Sequence, residues 1–148
     1  MRTILVPIDF SDVTTRVVDT ATNLAKAFSG KLCLLHIAAP DPAFVGWEPG
    51  PDIARHQRAT DLRDEHRRTQ ELAEQLRSQG LDAQALLVQG PTVETILERA
   101  AKLGADLIVM GSHGHGALYR ALLGSISEGV VRQANCPVLI IPARRDAD

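Results

Sequence analysis

Two stretches near the start, Thr3–Ile8 and Lys31–Ile37, constrain the fold more than anything else in the chain. Both are short and largely apolar, and neither shows the in–out alternation of a half-solvated strand. A strand that is apolar on both faces must be covered on both faces, the situation of a parallel sheet held between helices. The intervening segments agree. Val13, Val17, Ala21, Leu24, Ala25 and Phe28 recur at helical spacing, and Gly30 stands where a glycine would end that helix. A long charged helix is expected over Ile53–Gln79, carrying Arg55, Arg58, Arg63, Arg67, Arg68 and Arg77 around a thin apolar stripe of Leu62, Leu72, Ala73 and Leu76. Asp82–Val88 reads as a third strand. Val93, Ile96, Leu97, Ala100 and Leu103 form a helical face ending at Gly104. Asp106–Met110 is a fourth strand, Ile126, Val130, Val131 and Ala134 mark another helix, and Val138–Ile141 is the last strand. The expected fold is therefore α/β: a doubly wound, five-stranded parallel sheet with helices on both faces and right-handed crossovers.

A chain of 148 residues holds about one domain, and nothing in it repeats. Aromatic residues make up only 3% against 45% hydrophobic, so the core must be aliphatic. Residues 40–52 form the one long connection, with Pro40, Pro42, Pro49 and Pro51 around Trp47, and residues 143–148 form a tail. A net charge of −2 gives no electrostatic reason to expect nucleic acid or an acidic membrane as partner. No apolar run reaches the ~20 residues that cross a bilayer, and no leader-like segment opens the chain. A cytoplasmic location is the economical expectation. Cys33 lies in an apolar run and reads as core, Cys136 precedes Pro137, and two cysteines make no disulfide framework.

In an open parallel sheet, ligands bind beyond the C-terminal strand ends, where the winding reverses. Two segments there stand out: Asp9-Phe10-Ser11 after the first strand, and Gly111 through Ser127 after the fourth. Gly111, Gly114 and Gly124 let backbone amides approach an anion closely. Gly124-Ser125 opens a helix whose first amides have no internal partners, and Arg120 supplies charge nearby. Ser125-Ile126-Ser127-Glu128 also fits a capping box, with Ser125 as N-cap and Glu128 reaching back. Asp9 also fits a turn-forming or capping role beside Ser11. His113 and His115 lack further ligands nearby and fall short of a zinc signature; no protein-built metal site is expected.

The spacing Gly111-x2-Gly114-x9-Gly124-Ser125 resembles the nucleotide-binding pattern of the universal stress protein family. The resemblance runs along nearly the whole chain: Ile4-Leu5-Val6-Pro7-Ile8-Asp9, Leu35-His36-Ile37, Ala105 through Gly114, Gly124 through Val131, and Cys136 through Ile140. It implies a strand order of 3-2-1-4-5 and a member of the ATP-binding subfamily. On that resemblance, Asp9 accepts hydrogen bonds from ribose hydroxyls, and Pro7 and Ile37 line the adenine. Met110 and Gly111 lie near ribose and phosphates. Gly114, Gly124, Ser125 and Ser127 contact phosphates, with Ile126 adding its backbone amide. The cofactor implied is ATP, or ADP or AMP, with Mg²⁺ or Mn²⁺ held mainly by the phosphates. The last strand, Val138-Leu139-Ile140-Ile141, should be an apolar sheet edge that invites pairing. Family members commonly pair there across a twofold axis, which implies a homodimer.

The pattern GxxxxGK[ST] is absent, and the lysines, Lys26, Lys31 and Lys102, all lie outside the glycine segment. Phosphoryl transfer needs charge on the transferred group and a residue positioning the nucleophile. The residues are better suited to holding phosphates than to cleaving them, so the expectation is a regulatory or stress-protective nucleotide binder with little or no hydrolysis. Two alternatives stand beside it: a weak ATPase or nucleotidyl-transfer enzyme using His113, His115 or Arg120, and an interaction module whose pocket is vestigial.

Overall fold

Strand β1 (Thr3–Ile8) is the middle of a sheet in the order β3 (Asp82–Gln89), β2 (Lys31–Ala38), β1, β4 (Leu107–Gly111), β5 (Val138–Ile141), every neighbouring pair parallel. In the computed structural model, residues 1–38, 52–113 and 123–143 are described, with side chains in the helix that opens at Asp52 described from residue 59. Between the strands run α1 (Thr14–Phe28), α2 (Asp52–Ser78), α3 (Thr92–Leu103) and α4 (Ser125–Gln133). The doubly wound α/β fold and its strand order are as the sequence predicts. The proline-rich segment with Trp47, and the tail from 144, lie outside the described residues.

Alternation along each strand divides the core into two layers. Ile4, Val6, Ile8, Leu32, Leu34, Leu107 and Val109 pack with Val17, Ala21 and Ala25 of α1 and with Ala73 and Leu76 of α2. Leu5, Cys33, Leu35, Ile108 and Met110 pack with Ile96 and Ala100 of α3 and Val130 of α4. Cys33 is fully buried, as expected, and burial pushes its thiol above the ordinary range. A Cβ at Gly129 would lie 3.0 Å from Val93 Cγ2, so the missing side chain is what lets α3 and α4 approach.

Two local readings need correction. Helix α1 ends on Ser29, not Gly30, in the left-handed region (φ 52°). Gly30 is small for a different reason: a Cβ there would sit 3.3 Å from the Met1 carbonyl oxygen. Gly104, by contrast, does close α3 at φ 59°, as its position predicts. Strand β4 starts at Leu107, one residue later than expected, because Asp106 is diverted to another task. One of its carboxylate oxygens accepts the amides of Arg2 (2.7 Å) and Thr3 (3.0 Å). Those two bonds, the Arg2 amide foremost, hold the Asp106 carboxyl below its ordinary range.

Left-handed backbone costs an L-residue about 1 kcal/mol that glycine escapes. Ser29→Gly should therefore raise stability by up to about 1 kcal/mol, after the entropy that glycine adds to the unfolded chain. A urea midpoint that stays put or falls would show that Ser29 is not strained.

Candidate functional site

The winding reverses between β1 and β4: from β1 the chain proceeds outward to β2 and β3, and afterwards to β4 and β5 on the other side. At this boundary the sheet forks. The β1–β2 ladder continues to Ile8↔His36 and the β4–β5 ladder to Gly111↔Ile141. Between β1 and β4, pairing covers Ile4↔Leu107 and Leu5↔Ile108. The chain leaves β1 and β4 toward opposite layers, the place where an open doubly wound sheet forms a ligand crevice; Pro7–Asp9 end the strand on one side of it and Met110–Gly111 the strand on the other.

On the β1 wall, an Asp9 carboxylate oxygen accepts the Ser11 amide at 2.9 Å, the short turn that its position near Ser11 allows. Asp9 is exposed at the strand end. Phe10 follows with φ 58°, left-handed backbone that a bulky residue adopts only when its surroundings impose it. By alternation from Leu5, Cys33 and Leu35, the side chains of Pro7 and Ile37 face the α3/α4 layer, and Ile37 packs against it. Both are part-exposed at the strand ends. Met110 faces the same layer but is only 5% exposed, so what it offers the crevice is backbone.

The β4 wall is built by hydrogen bonds that knit the two ends of the glycine segment together. The Gly124 amide donates to the Ser112 carbonyl at 2.7 Å. The Ser127 hydroxyl lies 2.8 Å from the Gly111 carbonyl oxygen and 2.9 Å from that of Ser112, and the residue is 3% exposed. Ser127 thus spends its side chain on the frame of the site. A Cβ at Gly124 would meet the Ser112 carbonyl at 3.0 Å, and one at Gly111 would meet Val13 Cγ1 at 2.6 Å. Both glycines are there for close approach of neighbouring parts, Gly111 to the start of α1 and Gly124 to the strand exit. Ser112 itself donates its amide to Ile141, and its hydroxyl lies 2.9 Å from His113 Nδ1. Gly114, His115 and Arg120 lie outside the described residues.

Helix α4 begins with Gly124 as N-cap, Ser125 at its first position and no side-chain cap. The capping-box reading is thereby corrected: Glu128 pairs with Arg132 at 2.7 Å instead of reaching back. The first intrahelical bond runs from the Glu128 amide to Gly124. The amides of Ser125, Ile126 and Ser127 therefore have no acceptor within the helix. They gather at its positive end, and Ser125 and Ile126 are exposed. Buried polar atoms collect here too: Ser11 Oγ, Thr14 Oγ1 and His113 Nε2 have no partner among the described residues. Orphaned polar groups of this kind are rare enough in native interiors to call for an explanation. No group of three or more potential metal-ligating side chains occurs among the described residues.

Sequence reasoning passed over His36, which is 7% exposed and sits at the end of an otherwise apolar strand. Its Nδ1 lies 2.9 Å from the Ile8 carbonyl and its Nε2 lies 3.2 Å from Glu65 of α2. An imidazole inside such a run was the available signal.

A model of the universal stress protein family matches residues 1–142. The chain belongs to this family. A universal stress protein of Thermus aquaticus is 38% identical over 144 residues, which span 95% of this chain and 98% of that one. Among solved structures, MJ0577 of Methanocaldococcus jannaschii superimposes with a TM-score of 0.81 at 25% identity, covering 98% of each chain. A universal stress protein solved in complex with cAMP matches at a TM-score of 0.67 and 27% identity, over 95% of this chain and 96% of that one. The family's fold and the fork just described thus occur together in this chain.

Replacing the Ser127 hydroxyl would remove the donor shared by the Gly111 and Ser112 carbonyls and leave the Gly124 amide alone on Ser112. Ser127→Ala should cost about 1–2 kcal/mol, read as a lower urea midpoint. An unchanged midpoint would mean that the hydroxyl does not hold the segment's ends together.

Proposed function

We propose that this universal stress protein binds an adenine nucleotide, ATP or its relatives ADP and AMP, in the crevice between β1 and β4. The observation that carries the reading is the fork itself. Asp9 is an exposed carboxylate at the end of β1, the helix after β4 opens on amides with no acceptor within it, and Pro7 and Ile37 are part-exposed at their strand ends, which supports a site built from all three. A nucleotide needs these three things: an acceptor for sugar hydroxyls, donors for phosphate, and an apolar wall for the base. Asp9 takes the ribose, Pro7 and Ile37 the adenine, and Met110 and Gly111 the region joining ribose to phosphates. The phosphates take the amides of Ser125 and Ile126 and the Ser125 hydroxyl. Gly124, Ser127 and Gly114 complete the phosphate segment, the first two as its frame. The cAMP complex of a related protein supports the same ligand class here. A divalent ion, Mg²⁺ or Mn²⁺, would be carried mainly on the phosphates.

The protein acts by binding, in a regulatory or stress-protective role, with hydrolysis slow or absent. The positions of the lysines support this. Lys31 opens β2, and Lys26 and Lys102 lie in the last turns of α1 and α3, all at the sheet edge opposite the crevice. Lys102 is further engaged with Glu98 at 2.7 Å. No helix among the described residues is long and apolar enough to cross a membrane, and we place the protein in the cytoplasm. Its assembly is a homodimer through β5, an edge strand whose Leu139 is 37% exposed beside part-exposed Val138 and Ile140.

Titration calorimetry with ATP tests the site. Asp9→Ala should weaken binding by about 1–2 kcal/mol through the lost charge-assisted bonds. Equal affinity of the two proteins would remove Asp9 from the sugar, and absence of binding by the unaltered protein would end the nucleotide reading. Phosphate release well above background would favour the enzyme instead. For the assembly, Leu139→Lys should yield monomers or aggregates by light scattering; a dimer of undiminished strength would shift the interface away from β5.

A further inference from the structure

Asp9 is gripped through both of its neighbours. On one side, the Ile8 carbonyl is held by His36 Nδ1 at 2.9 Å. On the other, the Phe10 ring lies between two groups: the His36 ring, with centroids 5.1 Å apart and tilted by 53°, and the Arg68 guanidinium, whose carbon stands 4.0 Å over its centroid. Glu65 Oε2 approaches His36 Nε2 at 3.2 Å, near in distance though not aligned as a hydrogen bond. Glu65 and Arg68 are three residues apart on α2 and so share one side of that helix. These contacts account for the left-handed backbone at Phe10, a conformation that costs about 1–3 kcal/mol and persists only when its surroundings impose it.

Both His36 nitrogens face acceptors, a peptide carbonyl and a carboxylate. A neutral ring brings one hydrogen and serves one of them; serving both takes a second hydrogen, on the ring or on Glu65. The pair is therefore a polar connection through an otherwise aliphatic layer, running from α2 to the peptide that precedes Asp9.

We infer that His36, Glu65, Phe10 and Arg68 form a brace by which α2 aims the Asp9 carboxylate at the sugar of the bound nucleotide, making them positioning residues for ribose recognition. The inference rests on the proposed nucleotide site. It makes α2 part of the site through the neighbours of Asp9. It also predicts that disturbing α2 changes sugar selectivity more than overall affinity.

The test compares ATP with 2′,3′-dideoxy-ATP, which lacks the hydroxyls that Asp9 would accept. Glu65→Ala should lower the ATP-to-dideoxy affinity ratio about tenfold, the scale of one misplaced charge-assisted bond, while leaving the dideoxy affinity unchanged. Glu65→Gln should restore the ratio, because its amide can donate to a neutral His36 that still donates to Ile8. Adding Asp9→Ala to Glu65→Ala should bring no further loss than Asp9→Ala alone. Equal losses for both nucleotides, or an unchanged ratio in Glu65→Ala, would overturn the brace. Should the unaltered protein bind neither nucleotide, the proposed function fails separately. The brace is then read without ligand, from hydrogen exchange at the Ser11 amide that Asp9 accepts. Faster exchange there in Glu65→Ala, with Ile108 unaffected, supports the brace, and equal exchange refutes it.

Discussion

The inner strands of a parallel sheet covered on both faces have their polar backbone satisfied everywhere except at the strand ends, and this condition shapes the molecule. Side chains from β1, β2 and β4 are spent on the two aliphatic layers, from Ile4 and Val109 on one side to Leu5 and Ile108 on the other. Chemistry is pushed to the edge. Where the crossovers change direction, the ladder between β1 and β4 cannot be continued by both strands, because their following segments leave toward opposite layers. Asp9 and Gly111 stand apart at that edge, while β2 and β5 remain paired to their outer flanks. The crevice is thus a consequence of winding order, and its polar lining follows from which residues end those two strands.

Much of this was legible in the residues. Unalternating apolar runs at Thr3–Ile8 and Lys31–Ile37 required covering on both sides, and the helical spacing between them supplied the cover. The strand order came with the family resemblance, since patterning alone does not say which strands are neighbours. What failed were readings that assign a small or polar residue its commonest local job. Gly30 was expected to turn the chain and instead makes room for Met1, while Ser29 takes the turn. Ser125 and Glu128 match a capping box, yet Gly124 caps and Glu128 pairs with Arg132. Asp106 belongs to an apolar run, yet it fastens the first amides of β1. For Gly30 and Asp106 a partner remote in sequence decided the outcome, whereas Glu128 found a competing partner one turn along its own helix.

The candidate site was legible in the same uneven way. Asp9 stands exposed at the end of β1 and Gly124–Ser127 opens α4 after β4. Their division of labour was hidden: Ser127 looks like a phosphate donor in the sequence, but its hydroxyl is 3% exposed and directed at two carbonyls. Gly124 looks like an anion contact, but its amide is taken by Ser112. The residues that frame the site and those that face it share one motif, and burial alone separates them. His36 and Glu65 could not be paired from the sequence, because 29 positions separate a strand residue from a helix residue in two elements with no fixed phase between them.

The close contact at Gly129 has a mechanical corollary. Helix α4 has nine residues, and a helix this short turns as a rigid rod. It is pinned to the strand exit by Ser127 and, one half-turn later, rests directly on Val93 of α3. The distance between pin and rest is only ~3 Å along the axis. A small change in the bulk at position 93 would therefore pivot the rod about Ser127 and swing its leading amides sideways. Residue 93 sets the pitch of the helix's leading end from behind, so under the proposed reading selection for a different ligand could act there without altering any group that touches it.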